Sequence, residues 1–229
     1  MRIDIVTLFP EMFTAMLDES IVARARKRGC LQICCHQLRD FAPSRKVDDT
    51  VFGGGKGMLL TPEPIANCFD AIEEHVGEKP HRIYMSPRGK VLTQKKAVEL
   101  SGNKNITILC GHYEGVDERI IDTYIDEEIS IGDYVLTGGE IPALVLIDTV
   151  SRMIDGVLAD EECFEDESHF NGLLEYPQYT KPNIWREQSV PQVLLSGHHG
   201  KIKQWRHEES VRITQKYRPD MLKTEDKKK

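Results

Sequence analysis

The sequence contains no apolar run long enough to span a membrane, and it lacks the usual features of a secretory leader. Met1 to Phe9 has an early Asp4 and no small-residue cleavage site, so this stretch predicts a β-strand rather than a signal peptide. We therefore expect a cytoplasmic protein that does not associate with membranes.

Several motifs of metal binding and catalysis are also missing. The six cysteines form no C-x-x-C pair, and none of the eight histidines lies in an H-E-x-x-H motif. No zinc site or disulfide framework is therefore expected, and no metal ligands are predicted. The absence of a G-x-S-x-G elbow leaves serine hydrolase chemistry with little support.

A glycine-rich run, Gly53 to Gly57, lacks the features of a nucleotide-binding P-loop. Its Lys56 is followed by glycine and methionine, so no hydroxyl is available for Mg²⁺ at that point, and the glycine spacing differs. Two interpretations remain open, a glycine-rich substrate loop and a flexible turn.

The net charge of −7 is unevenly distributed along the chain. From Glu114 to Glu167 there are 17 acidic and two basic residues, whereas Tyr176 to Lys229 contains 12 basic and six acidic residues. Besides the terminal lysines, the basic residues of this last part include Lys201, Lys203, Arg206, Arg212, Lys216 and Arg218. A locally basic segment can bind phosphates even in an acidic chain, although the lysine tail alone is equally typical of a solvated end.

Strand-like and helix-like segments alternate up to about residue 156. The strand candidates are Arg2–Leu8, Cys30–Leu38, Arg82–Ser86, Ile106–Cys110 and Glu128–Ile131. The helix candidates are Pro10–Leu17, Ser20–Arg28, Thr61–His75, Thr93–Leu100, Asp117–Tyr124 and Glu140–Ile154. Ser20 and Thr93 are predicted N-caps, and Pro62 suits a first helical turn. The alternation predicts an α/β domain with a mostly parallel sheet.

An acidic break, Ala159 to His169, separates this domain from a region of different character. We predict a domain over residues 1–158, a linker over 159–170, and a small helical domain over 171–229. Within the last region, Leu173 to Pro191 is predicted to be an irregular packed loop, and Gly197 to Tyr217 has a helical rhythm with basic residues.

Two glycine-punctuated loops predict a ligand pocket. Cys110 to Arg119 follows one apolar strand, and Ile131 to Pro142 leads from another strand into an apolar helix. Glycines let backbone approach a ligand, and loops at the carboxyl ends of neighbouring strands form the usual binding crevice of an open α/β sheet. His112 lies in the first loop, where a pocket position and a surface position are both open.

The acidic linker and the apolar helix before it supply candidate catalytic groups. Asp166 and Glu167 end the linker just before the chain returns to apolar character, and Arg152 is the only arginine or lysine between Arg119 and Lys181. A carboxylate near a cation is a plausible pair for general acid–base chemistry.

The chain closely resembles the bacterial tRNA (guanine-N1)-methyltransferases along almost its whole length. The matching segments are Asp4–Pro10, Val47–Asp49, Gly53–Gly55, Ser86–Gly89, Cys110–Arg119, Ile131–Glu140, Gly172–Pro177 and Val193–His199. The resemblance implies a SPOUT-type α/β domain with a deep trefoil knot, an obligate homodimer, and methylation of the guanosine just 3′ of the anticodon, at position 37 of tRNA. It also implies S-adenosylmethionine as the methyl donor, in a family thought to be assisted by Mg²⁺.

The resemblance assigns site residues by motif. Those expected to bind the donor are Tyr84, Met85, Ser86, Pro87, Gly111, Tyr113, Glu114, Gly115, Ile131, Gly132, Asp133, Tyr134, Val135, Leu136, Gly138, Gly139 and Pro142. The family uses a linker aspartate as general base and a helix arginine beside it. These positions correspond to Glu167 and Arg152 here, with Asp166 as the rival base.

Glutamate at the base position departs from the family pattern and leaves other hypotheses open. A knotted methyltransferase acting on another RNA should lack the segments Gly172–Pro177 and Ser196–His199, which are present. A non-catalytic RNA-binding protein that lost its base would bind RNA without transferring a methyl group.

Overall fold

The computed structural model describes residues 1–158, 164 and 166–222. The chain divides into two compact units, Met1–Ala159 and Asp160–Lys229. Much of the predicted linker, together with Cys163 and the lysine tail, lies outside the described residues. In the described part of the chain, no helix combines the length and apolar character needed to cross a bilayer.

The first unit is built on a five-stranded parallel sheet. The strands of this unit are β1 (Arg2–Thr7), β2 (Gln32–Gln37), β3 (Asp48–Thr50), β4 (Met58–Leu60), β5 (His81–Val91), β6 (Asn105–Cys110) and β7 (Glu127–Ser130). The main sheet has the order β2-β1-β6-β5-β7, and β3 and β4 form a separate antiparallel pair. The predicted α/β class with a parallel sheet is confirmed and agrees with a SPOUT fold.

Helices cover both faces of this sheet, as expected for parallel strands that are buried on both sides. They are α1 (Glu11–Leu17), α2 (Ser20–Arg28), α3 (Pro62–Val76), α4 (Gln94–Ser101), α5 (Glu118–Tyr124) and α6 (Glu140–Ser151). One core contains Ile3 and Ile5 of β1, and the opposite core contains Val6 and Leu8 from the same segment.

Local signals correctly predicted most helix ends. The Thr93 hydroxyl accepts a hydrogen bond from the Lys96 amide at 3.2 Å and caps α4, Pro62 opens α3, and Gly29 ends α2 with a left-handed φ of 78°. The prediction that Ser20 is an N-cap was wrong. Ser20 is the first residue of α2 with φ of 56°, and Glu19 is the N-cap without a side-chain hydrogen bond.

A buried carboxylate lies in the middle of β1. The Asp4 side chain is fully buried and accepts two hydrogen bonds from Arg2 at 2.8 and 2.9 Å and one contact from His36 Nε2 at 2.7 Å. Burial alone would raise the pKa of Asp4, but the bonds from His36 and Arg2 outweigh it and lower the pKa below its ordinary value.

The second unit contains β8 (Ile184–Trp185), β9 (Gln188–Ser189), α7 (Gln192–Leu195), α8 (His199–Tyr217) and α9 (Pro219–Leu222). The helical rhythm predicted over Gly197 to Tyr217 corresponds to α8. Strands β8 and β9 form a hairpin where an irregular packed loop was predicted, with Ile184 and Trp185 exposed. The two turn residues both have positive φ, a backbone conformation suited to two-residue hairpins.

Candidate functional site

A cavity opens at the carboxyl ends of β6 and β7, beside the middle of β5. It is lined by Tyr84, Met85, Ser86, Pro87, Gly111, His112, Gly115, Ile129, Ser130, Ile131, Gly132, Tyr134, Val135, Leu136, Gly138, Gly139 and Pro142. This is the edge at which open α/β sheets usually bind ligands. The predicted crevice is therefore present in the first unit.

The prediction that the two glycine-punctuated loops follow neighbouring strands was wrong. They follow β6 and β7, and β5 lies between these strands in the sheet. The middle of β5 supplies Tyr84 to Pro87, which also line the cavity. Three strands that are adjacent in the sheet, in the order β6-β5-β7, therefore build the site. The order of strands along the chain does not indicate which of them lies in the middle of the three.

Close packing favours glycine at two positions in this wall, against the Tyr84 side chain at Gly111 and against backbone at Gly139. A Cβ built on Gly111 would lie 2.7 Å from Tyr84 Oη, and one built on Gly139 would lie 2.7 Å from Cys110 Cα. The Gly139 amide also donates a hydrogen bond to the Gly111 carbonyl at 2.8 Å, which joins the two loops directly. Burial raises the pKa of the Tyr84 hydroxyl to about 12, so this group is neutral at physiological pH.

A tight turn after β7 shapes the other side of the cavity. The Ser130 hydroxyl accepts a hydrogen bond from the Gly132 amide at 3.1 Å and donates one to the Gly132 carbonyl at 3.0 Å. The Tyr134 hydroxyl donates to the Ile131 carbonyl at 3.3 Å. Beyond this turn Val135 is 81% exposed, which is unusual for a large apolar side chain.

Fourteen of the seventeen residues assigned to the donor line this cavity. The exceptions are Tyr113, Glu114 and Asp133, all of which are exposed. The Glu114 side chain lies against Gly57, where a Cβ would approach Glu114 Cγ to 2.5 Å, and Tyr113 makes an edge contact with the His112 ring.

Three lining residues were not among the assigned set, His112, Ile129 and Ser130. The sequence left His112 open between pocket and surface, and the structure places it in the cavity wall. Ile129 and Ser130 end β7, so the end of the predicted strand Glu128–Ile131 could have indicated them.

The candidate catalytic groups lie in different units. Arg152 is the C-cap of α6, because the helix ends at Ser151 rather than at the predicted Ile154. Its side chain is half-buried. Asp166 is exposed, and Glu167 is half-buried in a turn whose amide donates to the Phe164 carbonyl at 3.1 Å. Desolvation, partly offset by Arg206, and the nearby charge of Asp166 raise the pKa of Tyr176.

The segment after Glu167 is tied to the second unit by hydrogen bonds. The Glu175 amide donates to the Ser168 hydroxyl at 2.9 Å, and the His169 amide donates to the Leu173 carbonyl at 2.8 Å. The Leu174 amide donates to the Thr214 hydroxyl of α8 at 2.8 Å. The end of the acidic stretch is therefore fixed on a folded frame.

Metal binding has no evident site among the residues that the structure describes. No group of three or more His, Cys, Asp or Glu side chains is arranged there to hold a metal ion. Assistance by Mg²⁺, which the family resemblance implies, stays a prediction.

Comparison with known proteins gives a uniform result. Residues 1–224 match the family model described as tRNA (Guanine-1)-methyltransferase TrmD. A tRNA (guanine-N(1)-)-methyltransferase of Ruminiclostridium cellulolyticum is 55% identical over 97% of this chain and 96% of its own length. The corresponding protein of Clostridioides difficile is 52% identical over the full length of both chains. The crystal structure of a tRNA (m1G37) methyltransferase from Aquifex aeolicus is similar with a TM-score of 0.80 and 41% identity, over 100% of this chain and 99% of that one.

Proposed function

Because this chain belongs to the tRNA (guanine-1)-methyltransferase family, we propose that it transfers a methyl group from S-adenosylmethionine to N1 of the guanosine 3′ of the anticodon, at position 37 of tRNA. The observation that carries the proposal is the cavity at the ends of β6 and β7, beside the middle of β5. Its lining coincides with most of the residues that the family resemblance assigns to the donor.

The cavity fits S-adenosylmethionine in its chemistry. Gly111 and Gly139 leave backbone uncovered where a side chain could not fit, and Ile131, Leu136 and Pro142 add apolar surface suited to an adenine ring and a methionine chain. When bound, the donor supplies an electrophilic sulfonium methyl group. The protein must therefore orient the donor and prepare the nucleophile.

Preparing the nucleophile requires removal of a proton, because guanine N1 is protonated at neutral pH. We assign this role to the Glu167 carboxylate, with Asp166 as the alternative, and assign Arg152 to stabilise the negative charge that develops on guanine O6. The hydrogen-bonded turn around Glu167 supports the assignment, since a general base must be held in place.

The second unit offers a surface suited to the tRNA backbone. Exposed basic side chains along α8 include Lys201, Lys203, Arg206 and Arg212, and Arg206 also stacks on the Tyr176 ring at 4.8 Å. Such side chains position an RNA through phosphate contacts and stacking. The target guanosine would leave its stack to reach the methyl group, as enzymes acting on bases generally require.

A homodimer is supported by exposed apolar side chains on the first unit. Tyr134, Val135 and Leu136 are exposed although they line the cavity, and Ile141 and Val145 are exposed on α6. Exposed apolar patches on a folded unit commonly mark an interface. A second copy covering this patch would adjoin the donor cavity and complete it.

The proposal is tested by methyl transfer from labelled S-adenosylmethionine to two tRNA transcripts. One transcript carries guanosine at position 37 after another guanosine, and the other carries adenosine at position 37. We expect incorporation only into the first. Incorporation into neither transcript, with donor and tRNA still bound, would favour a non-catalytic RNA-binding protein.

Variants then separate the two carboxylates. We expect Glu167→Gln to reduce single-turnover methyl transfer by about 10²–10⁴-fold, the usual contribution of a general base. Asp166→Asn is the matched control because it neutralises the adjacent carboxylate, and it should leave the rate within a few-fold of the parent. A large loss of rate in Asp166→Asn together with a parent-like rate in Glu167→Gln would instead identify Asp166 as the general base.

A further inference from the structure

A buried glutamate lies beneath the donor cavity and is not used by the proposed chemistry. Glu140 is only 2% exposed, and its Oε1 accepts a hydrogen bond from the fully buried Thr7 hydroxyl at 2.8 Å. The same hydroxyl accepts a hydrogen bond from the Phe9 amide at 3.0 Å. A buried carboxylate is retained only where its oxygens have polar partners, so its second oxygen is informative.

The second oxygen of Glu140 and Nδ1 of His112 both adjoin Gly138 and form no hydrogen bond with each other. A Cβ built on Gly138 would collide with both Glu140 Oε2 and His112 Nδ1, the latter at 2.8 Å. His112 Nδ1 is itself buried without a hydrogen-bond partner, and His112 pairs with Gly138 through a β-bridge. The carboxylate oxygen and the imidazole nitrogen therefore adjoin the same small gap, which exists because residue 138 has no side chain.

The imidazole ring is held from two sides. The Phe9 ring makes an edge contact with it at 5.0 Å between centroids, and the Tyr113 ring makes another at 4.9 Å. The ring also lines the donor cavity. Thr7, Phe9, His112 and Glu140 thus form one connected group that joins the end of β1 to the cavity wall.

We propose that Glu140 is a positioning residue that fixes the tautomer of His112, with the Nδ1–H directed across the gap to Glu140 Oε2. Nε2 then keeps its lone pair and accepts a hydrogen bond from an N–H or O–H group of the molecule in the cavity. A carboxylate beside one imidazole nitrogen favours the proton on that nitrogen, so the tautomer follows from the partner. The assignment of that molecule as S-adenosylmethionine rests on the function proposed above, whereas the tautomer does not.

The tautomer is measured directly by ¹⁵N NMR of the imidazole in the ligand-free protein. We expect His112 to be protonated at Nδ1 in the parent protein. Glu140→Gln should remove this preference, because a carboxamide can present a donor as well as an acceptor to Nδ1. Thr7→Val is the matched control, since it removes the bond to Oε1 but leaves Oε2 in place, and it should keep the Nδ1–H tautomer.

An Nε2–H tautomer in the parent protein would overturn the proposal, and so would a tautomer that is unchanged in Glu140→Gln. The parent spectrum alone decides the first point, so the test does not depend on the folding of a variant. If Glu140→Gln fails to fold, Glu140→Asp serves as the second variant, because its shorter carboxylate should weaken the preference without removing the charge.

Calorimetry of S-adenosylmethionine binding provides the functional readout. Glu140→Gln and His112→Asn should each weaken binding by about tenfold, the scale of one charge-assisted hydrogen bond. If Glu140 acts through His112, the double variant should bind no more weakly than either single variant, whereas independent effects would multiply and refute the coupling. Absence of donor binding by the parent protein would refute the proposed function and leave the tautomer result intact.

Discussion

A single methyl group at Gly139 is expected to separate the two loops of the cavity. Gly139 has φ of −82°, so alanine can adopt its backbone conformation and only the space around it matters. The added Cβ would lie 2.7 Å from Cys110 Cα, 2.9 Å from the Gly111 nitrogen and 3.1 Å from the Cys110 carbonyl carbon. All three atoms belong to backbone, so no side-chain rotation relieves the contact.

The size of the effect follows from these distances. Non-bonded carbon atoms prefer a separation of about 3.5–4.0 Å, so the loops must move apart by roughly 0.8 Å or more. That movement would stretch the 2.8 Å hydrogen bond from the Gly139 amide to the Gly111 carbonyl towards the limit of bonding. Overpacking of this kind costs about 1–3 kcal/mol in folding free energy, and a displacement near 1 Å in a site can reduce activity about 10²-fold.

The assay combines urea unfolding with calorimetric binding of S-adenosylmethionine. Gly139→Ala should lose stability and bind the donor far more weakly than the parent protein. Gly102→Ala is the control, because its Cβ would lie 3.4 Å from its nearest neighbour, Glu99 O, and Gly102 has φ of −74°. Parent-like stability and affinity in Gly139→Ala would show that the two loops are not in close backbone contact, and the reasoning would be refuted.

Three further predictions concern stability, assembly and ionisation. Asp4 has a lowered pKa despite its burial, so the stability that its carboxylate contributes should be present above pH 3.8, the ordinary pKa, and be lost as pH falls through the lower pKa of the folded state. Urea unfolding at a series of acidic pH values should show this loss. Asp4→Asn should remove this part of the pH dependence. Val145→Asp should convert the proposed dimer to a monomer in light scattering, whereas Val98→Asp, at a similarly exposed valine, should leave the mass unchanged. Tyr84 should remain protonated to about pH 12 because it is buried. Tyr84→Phe should therefore remove one late-ionising tyrosine from an ultraviolet titration, and an unchanged titration would contradict the burial.

Local chemistry made much of the first unit predictable. Continuous apolar segments such as Asn105–Cys110 became central strands because parallel strands are buried on both faces. Thr93, Pro62 and Gly29 marked helix ends correctly because capping depends on a few neighbouring residues. Ser20 failed as a cap because a serine that opens a helix has the same local signature whether it is the cap or the first residue.

The site was predictable where its residues follow strand ends and unpredictable where they meet across the fold. The family resemblance assigned the donor residues by motif, and most of them line the cavity because they lie in the two glycine-rich loops and in β5. Glu114 belongs to one of these loops but lies outside the lining, because its side chain lies against Gly57.

The sequence alone therefore determined the class of fold, the glycine loops and the family, because these depend on periodicity and on contiguous motifs. The tertiary structure alone decided that β5 lies between the two loops and that Thr7 bonds Glu140, which is 133 positions away in the chain. It also decided that His112 Nδ1 is buried beside the gap at Gly138. Such contacts depend on strand order and on the closure of long segments, and no local pattern of residue types encodes either of them.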